Sequence, residues 1–247
     1  MSSQPIPASA GPADPLLIED LVAANRILAN EGVLDGWGHV SVRHDRDPSR
    51  FLLSRSLAPE LVSAEDILEF DLDNNSVNVE ERNLYSERFI HGEIYKTRPD
   101  VKAIVHSHAP SVIPFGVTSI ALRPMYHRAA FIALGVPVFE IRDAAGMTDM
   151  LIRDPALGRA LAKSIGDKPA VLMRGHGATI VAPSLQRVVG RSIFLALNAT
   201  LQAQAMIMTQ GGPINFLDPE EARLIEAREG YGLGRSWQAW KKRALGR

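Results

Sequence analysis

The sequence predicts one α/β domain built around a central, mostly antiparallel sheet. Hydrophobic residues make up 46% of the 247 residues, enough for one sizeable domain or two small ones. No internal repeat or change of composition marks a domain boundary. Several short β-like segments follow one another too closely for each pair to be joined by a crossover helix, and this spacing favours antiparallel neighbours.

The helices and strands can be placed from hydrophobic periodicity and from turn residues. Helical patterns cover residues 16–31, 85–95, 157–165 and 185–210, followed by one or two further helices that include Trp237 and Trp240. Strand patterns cover residues 39–43, 51–54, 67–71, 101–105, 136–141, 170–173 and 178–181. Residues 1–15 are rich in Pro, Ala and Ser, so we expect a flexible lead there and one domain over residues 16–247.

The composition excludes several classes of function. No apolar run approaches the roughly 18 residues that cross a bilayer, and the first residues lack the pattern of a signal peptide. A net charge of -1 provides no field for nucleic acid or an anionic membrane. The chain has no cysteine, which fits a cytoplasmic location and leaves His and carboxylates as the ligands for any transition metal.

Three of the seven histidines form a candidate metal site. His106 and His108 lie two residues apart at the end of an apolar strand, where such side chains point to the same face. His176 follows another strand and stands between two glycines, which allow a sharp turn and a close approach. Three neutral imidazoles with an open position are the arrangement of catalytic zinc, although three surface histidines would show the same spacing.

Glu87 and His91 are i and i+4 on one predicted helix and therefore share a face. Glu87 close to a cation would serve as a metal ligand or as an acid/base, whereas the alternative is a solvated helix face. We interpret His91 as structural.

Three ordered motifs resemble the class II aldolase/adducin family over roughly residues 16–212. They are GHVSVR (residues 38–43), NLYSERFIHGEIYKTRPDVKAIVHSHAP (83–110) and VLMRGHGATIVAPSL (171–185). The resemblance implies a three-layer α/β/α fold, commonly a homotetramer with active sites between subunits. It implies one divalent metal per subunit held by His106, His108 and His176, with Glu87 as the catalytic acid/base. Zn or Mn is expected, and Fe or Co would also suit these ligands.

The resemblance also locates the substrate, at positions where sugar-phosphate members bind phosphate. These positions are His39, Ser54, Arg55, Ser56, Tyr85 and Ser86. His39 replaces the family's Asn, and Leu57 replaces a Gly of the phosphate loop, where a side chain would crowd the anion. His39 and Arg55 add cationic, planar donors, and Arg suits a carboxylate. The alternative is that Arg55 is a surface residue and His39 a benign replacement.

Three segments are similar to the family's aromatic-acid decarboxylases, namely GHVSVR, RFLLSRSLAPELV (residues 50–62) and LRPMYHRAAF (122–131). By this resemblance the substrate is an ortho-hydroxylated aromatic or pyridine carboxylate or dicarboxylate, and His127 or Tyr126 supplies a proton or lines the pocket. One alternative is an aldolase or epimerase for a sugar phosphate or hydroxy-acid. A third is an adducin-like scaffold, which the presence of all three metal histidines disfavours.

Overall fold

A seven-stranded sheet in the order β3-β2-β1-β4-β7-β6-β5 forms the centre of the molecule. The structure is a computed structural model that describes residues 6–77, 83–228 and 233–246. All strand pairs are antiparallel except β5 with β6. The strands are β1 His39–Arg43, β2 Arg50–Ser54, β3 Ile67–Asp71, β4 Ala103–Ser107, β5 Val138–Phe139, β6 Ala170–Met173 and β7 Gly177–Ala182. The predicted mostly antiparallel sheet is confirmed.

Helices cover both faces of the sheet. They are α1 Pro15–Asn30, α2 Phe89–Thr97, α3 Ile113–Val117, α4 Ile141–Ala145, α5 Pro155–Ile165, α6 Leu185–Met208, α7 Pro219–Glu226 and α8 Leu233–Leu245. Among the described residues, no helix combines the length and the apolar character needed to cross a bilayer.

Successive residues of a strand point to opposite faces of the sheet, and their side chains pack into two separate apolar cores. One core joins Val40 and Val105 to residues of α1, α6 and α8. The other joins Ile104 to residues of α2 and α5. The layers are therefore helix, sheet and helix, which confirms the predicted three-layer fold.

Two elements differ from their sequence-based boundaries. The strand expected over residues 136–141 is reduced to Val138–Phe139. The helix expected over 85–95 begins as a tight turn, Ser86–Arg88, in which Glu87 has non-helical angles of φ -92 and ψ 16. This kink gives Glu87 an orientation that a continuous helix would not provide.

The segment before α1 lies along the sheet. Residues 6–14 contain no helix or strand. Ser9 donates its hydroxyl proton to the Glu69 carboxylate, and Arg50 donates to the backbone carbonyl of Ala8. Residues 1–5 of the expected flexible lead lie outside the described residues, and its mobility stays a prediction.

Gly177 permits the close pairing of β4 with β7. A Cβ atom at Gly177 would lie 2.0 Å from the Ser107 carbonyl oxygen and 3.0 Å from the His108 Cα. Since backbone cannot rotate away, we expect Gly177→Ala to lower the free energy of unfolding by about 1–3 kcal/mol or more. Chemical denaturation measures this loss, with Gly36→Ala as the control because a Cβ there meets no atom of the described residues within 4 Å. Equal midpoints for the two variants would contradict this account of Gly177.

Candidate metal centre

Four side chains from distant parts of the chain meet at one end of the sheet. His106 lies near the end of β4, and His108 follows two residues later. His176 lies in the turn between β6 and β7, where Gly175 has a φ of 64° that favours glycine. Glu87 comes from the kinked turn before α2. Because β4 and β7 are neighbours in the sheet, the two histidine segments are adjacent in space.

The imidazole nitrogens of the three histidines converge. The Nε2 atom of His108 is 3.0 Å from that of His106 and 3.1 Å from that of His176. One Glu87 carboxylate oxygen lies 3.5 Å from the Nε2 atoms of both His106 and His176. One ligand atom from each of the four residues lies within 4.8 Å of all the others. This cluster could hold one divalent cation.

The hydrogen bonds of the Nδ1 atoms of His108 and His176 explain why a cation fits between their Nε2 atoms. The Nδ1 atom of His108 is 3.1 Å from both carboxylate oxygens of Asp35, and that of His176 is 3.1 Å from the Met150 carbonyl. Carboxylate and carbonyl oxygens only accept, so each neutral ring carries its proton on Nδ1. Each Nε2 atom then presents a lone pair. Two lone pairs 3.1 Å apart repel each other unless a cation lies between them, and partners on the outer nitrogen are usual for metal-binding histidines.

Glu87 is buried and ionised. Burial raises the pKa of its carboxyl, but hydrogen bonds and charge interactions with His106 and His176 in their protonated forms outweigh burial and hold that pKa well below its usual range. A cation held by the neutral rings would supply positive charge at the same place. Its other oxygen accepts the Ile152 backbone N–H at 2.9 Å. The carboxylate is thus fixed in orientation, with one oxygen directed at the histidines.

A cavity of about 590 Å³ opens beside the four residues. Apolar and aromatic side chains line much of it, namely Trp37, Leu84, Tyr85, Met150 and Leu151. Polar lining comes from His39, Ser56, Ser86 and Asp149, together with Glu87, His108 and His176. A cavity of this size that combines apolar surface with polar groups is a candidate small-molecule site.

His39 lines this cavity as a neutral ring, not as the cation expected from the sequence. Its Nδ1 atom lies 2.7 Å from the Nε2 atom of His91. Burial first, and then the neighbouring imidazoles of His91 and His106, hold the pKa of His39 well below its usual range. Burial likewise lowers the pKa of His91 to about 3, so this pair is uncharged.

The other expected substrate-binding residues divide into two groups. Ser56, Tyr85 and Ser86 line the cavity. Ser54 is buried, with its hydroxyl 3.4 Å from that of Tyr85. Arg55 forms an ion pair with Asp66 at 2.6 Å and is not among the described residues that line the cavity. A carboxylate-binding role for Arg55 stays a prediction.

His127 does not belong to the cluster of Glu87, His106, His108 and His176. It lines a second cavity together with Phe131, Arg187 and Arg191, and its ring centroid is 4.9 Å from that of Tyr126. A catalytic role was expected for His127, which is not among the described residues that line the cavity beside Glu87. That role stays a prediction.

The sequence reasoning missed the residues that orient the histidines. Asp35 is 73 positions from His108, and Met150 is 26 from His176. No motif or spacing joins either pair, and Met150 contributes a backbone carbonyl that any residue type possesses. Asp35 is also held in place, since it accepts the backbone N–H groups of Trp37 and Gly38 at 2.9 Å.

Comparison with known proteins gives the family. Residues 19–203 match the model for the Class II Aldolase and Adducin N-terminal domain. This chain belongs to the class II aldolase/adducin family. It is 36% identical to Decarboxylase tropJ of Talaromyces stipitatus, over 90% of this chain and 92% of that protein. It is 30% identical to a 3,4-dihydroxyphthalate decarboxylase of Arthrobacter keyseri, over 89% of this chain and 90% of that protein.

The fold of this class II aldolase/adducin member also matches solved structures. An L-fuculose 1-phosphate aldolase from Glaciozyma antarctica superposes with a TM-score of 0.76 at 23% identity, covering 99% of this chain and 94% of that one. This likeness supports the fold.

Proposed function

We propose that this protein is a metal-dependent carbon–carbon lyase, and more specifically a decarboxylase of an ortho-hydroxylated aromatic or pyridine carboxylate or dicarboxylate. The observation that carries the choice between decarboxylase and sugar-phosphate aldolase is the hydrogen bonding of residues 55–57. The resemblance implies that this loop binds phosphate in the sugar-phosphate members.

The backbone amides of this loop already have partners. The N–H of Arg55 donates to the Asp66 carbonyl at 2.8 Å, and that of Ser56 donates to the Asn83 carbonyl at 2.7 Å. The N–H of Leu57 is 3.4 Å from the Tyr85 hydroxyl, which itself donates to the Leu57 carbonyl at 2.5 Å. A phosphate nest requires several free N–H groups that converge on the anion. Tyr85 and the backbone partners occupy them, which speaks against a phosphate-bearing substrate.

The cavity lining suits an aromatic ring. Trp37, Tyr85 and Leu151 present flat or apolar surfaces beside the metal cluster. Hydroxyl groups from Ser56 and Ser86 and the ring of His39 offer hydrogen bonds to the carboxylate or hydroxyl of such a substrate. The names of the two decarboxylase relatives, at 36% and 30% identity, support the same class of reaction.

The chemistry can be assigned to residues of this chain. His106, His108 and His176 would hold the cation, which, when bound, supplies a Lewis acid for substrate oxygens. The carbon–carbon bond to the carboxylate breaks, CO2 departs and the ring carbon takes up one proton. Glu87 is the candidate to carry that proton: as a carboxylate it would first take the proton from the ring hydroxyl of the substrate and then deliver it to the ring carbon. One of its oxygens faces the cluster and the other is held by Ile152.

The test is a comparison of two reactions with protein reconstituted separately with Zn and Mn. We expect CO2 release from 3,4-dihydroxyphthalate or from hydroxypyridine dicarboxylates, and no cleavage of fuculose 1-phosphate. Inorganic phosphate should not compete with substrate. Cleavage of the phosphorylated sugar without CO2 release would favour the aldolase or epimerase alternative, and inactivity of metal-loaded protein on both classes would favour the scaffold alternative.

We also propose that the chain forms a homotetramer with active sites between subunits, as the resemblance implies. Exposed apolar side chains near the end of α6, including Ile207 and Met208, are available for such contacts. Light scattering should give about four times the 27.0 kDa chain mass, as expected for a closed cyclic assembly. A monomer at micromolar concentration would contradict this.

A further inference from the structure

A chain of buried hydrogen bonds leads from the cavity into the protein. The Nδ1 atom of His39 is 2.7 Å from the Nε2 atom of His91. The Nδ1 atom of His91 is 2.6 Å from the Ser41 hydroxyl, and that hydroxyl is 2.9 Å from the hydroxyl of Tyr95. All four side chains are at most 1% exposed. Because these side chains are buried from solvent, their polar atoms must form hydrogen bonds with one another.

Such a chain has two possible polarities. In the first, Tyr95 donates to Ser41, Ser41 to His91, and His91 to His39, which leaves the His39 proton on Nε2. In the second, every bond is reversed and the His39 proton is on Nδ1. The Nε2 atom of His39 has no hydrogen-bond partner among the described residues, and His39 lines the cavity. The first polarity presents a donor to the substrate, and the second an acceptor.

Tyr95, at the end of the hydrogen-bond series farthest from the cavity, favours the first polarity. To reverse the chain, Tyr95 would have to donate to the Lys102 carbonyl, which is 3.5 Å away. That oxygen already accepts the Arg43 backbone N–H at 2.7 Å. The Ser41 oxygen, at 2.9 Å, is the better placed acceptor for Tyr95. With Tyr95 donating to Ser41, the single Ser41 proton is directed to His91.

We propose that Tyr95, Ser41 and His91 are positioning residues that fix His39 as a hydrogen-bond donor directed at the substrate. His39 would then donate to a carboxylate or phenolate oxygen of the substrate and discriminate against a group that can only donate. This inference rests on the proposed function for the identity of the substrate. The assignment of the proton to Nε2 depends only on the protein.

The tautomer can be measured without a substrate. Solid-state ¹⁵N spectra of the zinc-loaded protein with labelled histidine distinguish a protonated from an unprotonated ring nitrogen. The His39 signals are those lost in His39→Asn. We expect the proton of His39 on Nε2. A proton on Nδ1 in the unaltered protein would overturn the proposal, even if the protein decarboxylates its substrate.

Ser41→Ala tests whether the chain sets this state. Without the Ser41 proton, both polarities become available, and we expect Nδ1-protonated His39 to appear in the spectra. For the substrate found in the decarboxylation screen, loss of one neutral hydrogen bond should raise KM about two- to tenfold, while kcat changes less than about twofold. The control is Ser192→Ala, a buried serine that donates to the Val188 carbonyl in α6. An unchanged tautomer in Ser41→Ala, or the same change in Ser192→Ala, would overturn the positioning role.

The outcomes separate the two proposals. Failure of every aromatic carboxylate to release CO2 would defeat the proposed function and leave the tautomer result intact. CO2 release from a protein whose His39 carries its proton on Nδ1 would leave the function and defeat the inference.

Discussion

Replacement of any one of His106, His108 and His176 by alanine should abolish stoichiometric metal binding and catalytic activity. Each imidazole supplies one of three converging Nε2 atoms. The Nε2 atom of His108 is 3.0 Å from that of His106 and 3.1 Å from that of His176. Two nitrogen ligands and one carboxylate form a weaker site than three nitrogen ligands and one carboxylate. Elemental analysis of dialysed protein measures the metal content per chain. Full occupancy in any of the three variants would remove that residue from the ligand set.

The fold of these variants should persist, which makes the loss of metal interpretable. The apolar cores are built from other residues on both faces of the sheet. His44→Ala is a matched control, because His44 is also a buried histidine but contacts the Gly11 carbonyl at 3.2 Å. We expect His44→Ala to retain the metal. Circular dichroism should show similar secondary structure for all four variants.

Metal should also stabilise the unaltered protein. A ligand that binds only the folded state adds about 4.1 kcal/mol at a concentration 1,000 times its dissociation constant. Here the cation would in addition relieve the repulsion between facing lone pairs. The three alanine variants should therefore lose the rise in Tm that added Zn or Mn gives to the unaltered protein.

The three histidines of the candidate metal site could be picked out from the sequence because they lie at or just after the ends of strands. His106 and His108 end a strand, and His176 follows one, so their positions were constrained by periodicity and by glycine. That β4 and β7 are neighbours does not follow from spacing, because His108 and His176 are 68 positions apart. The resemblance to a family supplied that adjacency, and the sheet order agrees with it.

The electrostatics of the cavity could not be predicted in the same way. His39 was expected to be cationic, but the ring is buried beside His91, which is 52 positions away in the chain. The guanidinium of Arg55 is paired with Asp66, a partner that the sequence did not indicate, and its binding of a substrate carboxylate stays a prediction. In both cases the charge or its direction depends on a partner brought near by folding, and residue type alone carries no information about that partner.

Glu87→Gln should separate metal binding from catalysis. Glutamine has nearly the same shape, and its amide oxygen can still accept the Ile152 N–H that now bonds to one carboxylate oxygen. The negative charge and the ability to carry a proton are lost. We expect the variant to keep its metal, because the three imidazoles remain, and to lose about a hundredfold or more in turnover, as is typical of lost acid/base catalysis.

Glu93→Gln provides the matched control for this change. Glu93 is also a buried glutamate, on the neighbouring helix α2, and its carboxylate pairs with Lys96 at 2.7 Å outside the cavity. Its replacement removes a buried charge and should reduce stability, whereas turnover per folded, metal-loaded chain should stay near that of the unaltered protein. Metal content and turnover together decide the role of Glu87. Loss of both would make Glu87 a required ligand, and loss of turnover alone would make it the acid/base. Unchanged turnover would leave it a structural carboxylate that orients the segment around Ile152.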